Sequence, residues 1–242
     1  MTRRLLSIVL LAFGLLAGAA TVRAEGAALP SAGINLRDQA SLQRGARLFF
    51  NYCAGCHSLK YLRYSRMAQD LGLTKQEVMQ DLDFTGARFD DPVLTRMSPD
   101  IALKAFGKVP PDLSLEVGAK GADWVYAYLN SFYLDPKSRT GWNNVLFPNV
   151  AMPFPLSSLQ GEQRAVLKPG TDDVEKLELA HPGTMTPAQY RQATRDLVNF
   201  LAYVSEPVAL QRRRYGVWVI LFLVLFTFLA YLLKKEYWKD VH

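Results

Sequence analysis

The chain has 242 residues, of which 28 are basic and 22 acidic, and half of the residues are hydrophobic. This length predicts one or two domains. Nine of the basic and two of the acidic residues lie in residues 1–24 and 212–242, so residues 25–211 carry 19 basic and 20 acidic side chains. The net positive charge therefore belongs to the two ends of the chain, and it does not indicate a protein that binds nucleic acid.

The first 24 residues have the pattern of a secretory signal. Arg3 and Arg4 precede the apolar residues 5–20, and Val22-Arg23-Ala24 fits a small-residue cleavage site. The alternative is an uncleaved N-terminal anchor. We expect residues 1–24 to be a signal peptide that is removed after export.

A single short motif, Cys53-Ala54-Gly55-Cys56-His57, contains both cysteines of the chain. Cys-x-x-Cys-His is the attachment site of a c-type haem, whose iron takes the histidine as an axial ligand. A structural zinc site needs about four Cys or His ligands, whereas this chain has two Cys and three His. A thioredoxin-like pair belongs in a βαβ pattern, which does not surround Cys53. The motif therefore predicts one haem c bound covalently by Cys53 and Cys56, with His57 on the iron.

Residues 25–211 predict one exported domain that is mainly α-helical. Helix starts are indicated by capping residues followed by apolar positions at helical spacing, at Ser41, Thr74, Ser98, Asp123 and Thr186. Residues 134–185 are richer in Pro, Gly and Asn and predict loops. A helix that leads into the haem motif and a late helix that packs across it would match the cytochrome c arrangement.

Residues 215–233 contain no charged side chain and are flanked by Arg212-Arg213-Arg214 and Lys234-Lys235. As a helix this segment rises roughly 28 Å, about the thickness of a hydrocarbon core. It predicts a single transmembrane helix within a C-terminal anchor, residues 212–242. Because haem c is attached outside the bacterial cytoplasm, the haem domain is expected in the periplasm and the C-terminus in the cytoplasm.

The iron needs a sixth ligand, and the residues favour Met152. Pro153 and Pro155 stiffen the loop around it, so that it can hold a thioether at one point. Met185, His181 and an open iron position remain as alternatives. Three other methionines downstream of the motif are less suitable, because Met67 lies too near it, Met79 lies in a predicted helix and Met97 adjoins a helix start.

Four ordered motifs resemble the cytochrome c1 family, the haem c subunit of the cytochrome bc1 complex. The resemblance extends over nearly the whole mature chain and includes the C-terminal anchor. It implies that Met152 is the sixth ligand. Relatives often have an Arg near a haem propionate after the second motif. The nearest basic residue here is Lys120, a candidate propionate contact that can supply the charge but not the bidentate fork. The four motifs are Cys53–Ser58, Pro110–Ser114, Ala151–Leu156 and Arg195–Pro207.

The resemblance implies a cytochrome c-like haem domain with one C-terminal transmembrane helix, in the inner membrane of a bacterium. Its expected partners are cytochrome b and the Rieske iron–sulfur protein, within a dimeric complex, and a soluble or tethered cytochrome c that takes the electron. Such a subunit transfers electrons in a respiratory or photosynthetic chain and has no separate catalytic chemistry. The alternatives are a free-standing tethered cytochrome c that serves a terminal oxidase, and a haem-based sensor or peroxidase with an open iron position.

Overall fold

The computed structural model describes residues 29–240, so the signal peptide expected at residues 1–24 lies outside it. About half of the described residues are helical, which confirms the mainly α fold. The helices of this part are α1 (Gln39–Tyr52), α2 (Tyr64–Leu71), α3 (Lys75–Glu77), α4 (Pro99–Phe106), α5 (Glu116–Lys120), α6 (Ala122–Asn130), α7 (Ser157–Gln160), α8 (Pro187–Ser205) and α9 (Ala209–Tyr237), with a π-helical turn at Val78–Leu82. The strands are β1 (Leu59–Arg63), β2 (Pro92–Val93), β3 (Phe132–Leu134), β4 (Trp142–Asn144), β5 (Gly161–Leu167) and β6 (Val174–Pro182).

Helices α1 and α8 cross at Gly45 and form the centre of the core. A Cβ at Gly45 would overlap the backbone carbonyl of Asp196 and the Cβ of Phe200, so only glycine allows this close approach. Next to the crossing, the fully buried rings of Phe49 and Phe200 lie 5.9 Å apart. The crossing orients the C-terminal end of α1, from which the haem motif continues.

A buried polar network fastens the same two helices together. Asp196 is 3% exposed, and its carboxylate accepts hydrogen bonds from Nε of Arg44 at 2.6 Å and from the hydroxyl of Ser41 at 2.7 Å. Asn199 donates to the Ser41 hydroxyl at 3.0 Å and to the carbonyl of Asn35 at 3.0 Å. Both oxygens of the buried Asp196 carboxylate therefore accept hydrogen bonds, and a buried charge needs such partners.

Three of the five predicted helix starts are correct. Thr74 and Thr186 form capping boxes with Glu77 and Gln189, and Ser98 caps α4 ahead of Pro99. Helix α8 buries apolar positions at helical spacing in its later turns: Leu197, Val198, Leu201 and Val204.

The predicted caps at Ser41 and Asp123 are wrong. Asp38 caps α1 instead, because the Ser41 hydroxyl is bonded to Asp196. Asp123 lies inside the first turn of α6, and its carboxylate accepts a hydrogen bond from the N–H of Ala32 at 2.7 Å. In both cases a distant partner takes the polar side chain away from the helix end.

Residues 134–185 are not only loops, which corrects the sequence-based expectation. Strands β3 and β4 pair antiparallel, and β5 and β6 form a longer antiparallel hairpin in which Glu162 lies opposite His181. The hairpin is half exposed on both faces, so its sequence lacks the clean alternation that marks a strand with one buried face. Strand β1 pairs with the short β2 directly after the haem motif.

Helix α9 has 29 residues and contains the whole segment predicted to span the membrane. Its most apolar 18-residue window has a mean hydropathy of 2.6, and none of that window is buried against the other residues of the described part, 29–240. Ala209, at its first turn, is buried against the domain. A long apolar helix that packs on the described domain only at its first turn fits a membrane anchor.

Candidate haem site

The haem motif follows directly from the C-terminal end of α1. The N–H of Cys53 donates to the carbonyl of Phe49 at 2.8 Å, and the N–H of His57 donates back to the carbonyl of Cys53 at 2.9 Å. The two cysteines and the histidine therefore lie within one tight turn. The two cysteines do not form a disulfide.

His57 is 8% exposed, and its ring has a defined orientation. Its Nδ1 lies 2.7 Å from the carbonyl oxygen of Pro111. Because a carbonyl can only accept, Nδ1 carries the proton and Nε2 keeps its lone pair. Burial lowers the pKa of His57, against the opposing effects of the Pro111 hydrogen bond and the carboxylate of Glu116. The ring is therefore a neutral imidazole with Nε2 available to a metal.

The segment that supplies the Pro111 carbonyl is fastened to the chain beside the motif. The N–H of Leu113 donates to the carbonyl of Ser58 at 2.9 Å. The Asp112 carboxylate accepts from the N–H of Lys60 and from the N–H of Ser114, both at 2.9 Å. Residues 110–114 thus form a brace for His57.

Met152 lies on a loop between β4 and α7, where it is half-buried against the core. The loop contains Asn149, which has a φ of 61°. Asparagine tolerates this left-handed conformation better than most residues. Pro153 follows Met152 and further restricts the backbone.

Two buried asparagine side chains hold this loop. The side-chain oxygen of Asn143 accepts from the N–H of Asn149 at 2.8 Å. The side-chain oxygen of Asn144 accepts from the N–H of Leu146 at 2.9 Å, while its amide donates to the carbonyl of Tyr128 at 2.8 Å. The Met152 loop is therefore tied to α6.

Tyr128 extends from α6 to Met152. Its hydroxyl oxygen lies 3.5 Å from the Met152 sulfur. Burial raises the pKa of Tyr128, and the charge of Glu116 raises it further, so the phenol stays protonated.

The other candidate ligands lie in different surroundings. Met67 is fully buried in α2, and Met79 is half-buried in the π-helical turn. Met97 and Met185 precede α4 and α8, and each is half-buried. His181 is exposed on β6, where Nδ1 lies 2.8 Å from a carboxylate oxygen of Glu162, so its ring has a partner on the opposite strand.

Lys120 ends α5, and its ammonium group lies 5.3 Å from the centre of the Trp124 ring. The Trp124 ring stacks in turn on Tyr128, with centroids 5.2 Å apart. Lys120 is therefore at the outer end of a row of side chains that leads to Met152.

Sequence reasoning did not identify Tyr128, Asn143 or Asn144, and it gave no role to the carbonyl of Pro111. The match of residues 110–114 to a family motif was the only indication in the sequence that the Pro111 segment is important. The other three residues act through long-range contacts that no local pattern reveals.

The donor set fits a covalently attached haem better than a metal ion or a redox pair. Burial, and secondarily Cys56, raises the pKa of the Cys53 thiol to about 12, whereas a redox-active cysteine has a lowered pKa. Within residues 29–240, no three His, Cys, Asp or Glu side chains come together as a metal cluster. Two cysteines in one turn and the oriented Nε2 of His57 are instead the groups that a haem c requires.

Comparison with known proteins identifies the family. The model of the Cytochrome C1 family matches residues 32–88 and 87–241. Cytochrome c1 of Allochromatium vinosum is 50% identical over 97% of this chain and 99% of its own length. The ammonia monooxygenase gamma subunit of Nitrosomonas europaea is 43% identical over 99% of this chain and 100% of its own length.

A third relative is the cytochrome b/c1 protein of Bradyrhizobium diazoefficiens, which is 26% identical over 85% of this chain and 34% of its own length. The family match and the 50% identity both extend over almost all of the described residues. The chain belongs to the cytochrome c1 family, whose members carry a covalently bound c-type haem.

Proposed function

We propose that Cys53 and Cys56 attach one haem c in this chain and that His57 and Met152 are its iron ligands. The observation that carries the proposal is the hydrogen bond from Nδ1 of His57 to the Pro111 carbonyl, which leaves Nε2 free for the iron. The loop around Met152, held by Asn143 and Asn144, supports the sixth ligand.

As a cytochrome c1, the chain carries electrons from the Rieske iron–sulfur protein to a cytochrome c within the cytochrome bc1 complex. The haem supplies a one-electron Fe(III)/Fe(II) couple when it is bound. The residues of the chain hold it, orient the imidazole and set its potential. A thioether ligand favours Fe(II), so ligation by His57 and Met152 raises the potential, which suits an acceptor downstream of the Rieske centre.

The chain associates with cytochrome b and the Rieske protein. The relative named cytochrome b/c1 supports the first of these partners. Helix α9 anchors the chain in a membrane, which we place in the bacterial inner membrane as part of a dimeric complex. In this proposal residues 25–211 form the periplasmic haem domain, residues 1–24 are the removed signal peptide, and the C-terminus is cytoplasmic.

The acceptor is proposed to be a soluble or tethered cytochrome c that docks through charge. Residues 25–211 carry 19 basic and 20 acidic side chains, and haem propionates add further negative charge. Such a surface favours association with a basic cytochrome c. Lys120 is the candidate contact for a propionate, since its ammonium lies at the exposed end of the row that leads through Trp124.

The rival functions fit less well. A free-standing tethered cytochrome c needs only the haem motif, a methionine and an anchor. It does not require the other motifs that this chain shares with the cytochrome c1 family. A sensor or a peroxidase needs an open iron position, whereas Met152 is proposed to fill it here.

Purification in mild detergent tests the proposed assembly. The full-length chain should copurify with a di-haem cytochrome b and a Rieske protein. Isolation of the chain alone, together with electron delivery directly to an oxidase, would support the free-standing carrier instead.

A further inference from the structure

The contact between Tyr128 and Met152 has a defined direction. The hydroxyl oxygen and the thioether sulfur are 3.5 Å apart. A thioether has no proton, so the phenol must donate and the sulfur must accept. No other side chain within residues 29–240 forms a hydrogen bond with this hydroxyl.

The ring of Tyr128 is held in place by its aromatic neighbours. Trp124 stacks on it at an interplanar angle of 11°, and Phe132 contacts it edge-on with centroids 5.0 Å apart. Phe154, two residues after Met152, stacks on Phe132 with centroids 4.7 Å apart. One aromatic cluster therefore positions both the donor and the loop that bears the acceptor.

We propose that Tyr128 is a positioning residue that tunes the Met152 sulfur as an iron ligand through this hydrogen bond. The proposal rests on the assignment of Met152 as the sixth ligand. A sulfur atom that accepts a hydrogen bond has less electron density to give to a metal. This loss weakens its bond to the electron-poor Fe(III) more than its bond to Fe(II). Tyr128 thereby stabilises the reduced state and makes the sulfur easier to displace from the oxidised iron.

Tyr128→Phe in the full-length, detergent-purified protein tests this inference, since it removes the hydroxyl and keeps the ring. We expect the Fe(II)/Fe(III) equilibrium to shift toward Fe(III) by up to tenfold, which lowers the midpoint potential by up to ~59 mV. Imidazole, added to the oxidised protein, should displace the sulfur at a severalfold higher concentration than in the wild type, as followed by the weak sulfur-to-iron absorption band.

The direction of the change in imidazole displacement distinguishes an electronic effect of the hydroxyl on the sulfur from a purely structural role of Tyr128. A residue that only supported the loop would, when shortened, make displacement by imidazole easier. Tyr133→Phe is the matched control, because it removes the hydroxyl of a half-buried tyrosine on β3 that forms no hydrogen bond with Met152, and it should change neither quantity.

An unchanged or raised potential in Tyr128→Phe, or easier displacement by imidazole, overturns the proposal. Met152→Leu is examined in parallel. If it keeps the sulfur-to-iron band, the ligand assignment itself is wrong and the role of Tyr128 is overturned with it. If it loses the band while Tyr128→Phe leaves the potential unchanged, only the role of Tyr128 is wrong.

Discussion

The two proposed iron ligands are held in different ways. His57 lies four residues from the first haem cysteine, and a single short brace, residues 110–114, fixes its ring through a backbone carbonyl. Met152 lies almost a hundred residues later, on a loop with one left-handed residue, Asn149. Side chains from α6 and β4 hold that loop.

This difference separates local from tertiary control. If the haem is attached as proposed, the covalent thioethers keep His57 beside the iron even if its brace loosens. Nothing covalent keeps Met152 there, so its position depends on buried asparagines and aromatic packing. We therefore expect a small structural change near Met152 to disturb its ligation to the iron, whereas a change of similar size near His57 should leave its ligation intact.

The largest expected effect comes from removing the covalent bonds. Cys53→Ala combined with Cys56→Ala should leave no haem on the chain after denaturation, because the thioethers are the only bonds that survive unfolding. Haem staining of a denaturing gel measures this. Met152→Leu is the control, because it removes the proposed sixth ligand and keeps both cysteines, so it should stain like the wild type. Staining of the double cysteine variant would refute the attachment site.

A smaller effect is expected from Asn144→Ala. This fully buried side chain bonds the N–H of Leu146 and the carbonyl of Tyr128. Leaving such groups unsatisfied costs about 1–3 kcal/mol. We expect the sulfur-to-iron band of the oxidised protein to be lost at a lower temperature than in the wild type, with covalent haem retained. A band as thermally stable as that of the wild type would show that Asn144 does not hold the loop.

The counterpart on the His57 side is Asp112→Ala, which removes the acceptor for the N–H groups of Lys60 and Ser114. This carboxylate is partly exposed, so water replaces it and the cost should be about 0.5–1.5 kcal/mol. Ligation of the iron by His57 and Met152 should persist at room temperature, as reported by the oxidised and reduced spectra. Asp112→Asn keeps one acceptor oxygen and is the control. Loss of low-spin ligation in Asp112→Ala would contradict the idea that the thioethers keep His57 in place.

The smallest effect is expected from cutting off the anchor. A chain that ends at Gln211, exported by its own signal, keeps the buried Ala209 and loses only exposed helix. It should be soluble in the periplasm with an unchanged reduced spectrum. Failure to bind haem would show that α9 is part of the haem fold.

The same division between local and tertiary control explains what the sequence could predict. The haem motif, the capping boxes at Thr74 and Thr186 and the apolar helix α9 are local patterns, and the structure has all the corresponding elements. The caps at Ser41 and Asp123 failed because distant groups engage both side chains.

The β5–β6 hairpin was missed for a related reason. Both of its faces are partly exposed, so its side chains do not alternate between apolar and polar. At the haem site, a single local motif was enough to indicate the two cysteines and His57. The contact between Tyr128 and Met152 and the hydrogen bonds of Asn143 and Asn144 join chain segments that meet only after folding.

Redox titration of Met152→Leu beside Met185→Leu tests the central claim, that Met152 is the sixth iron ligand. A thioether stabilises Fe(II), and each ~59 mV of one-electron potential corresponds to about a tenfold change in the equilibrium. We predict that Met152→Leu lowers the midpoint potential by more than ~59 mV and abolishes the sulfur-to-iron band, while Met185→Leu changes neither. A large shift in Met185→Leu with none in Met152→Leu would contradict the assignment.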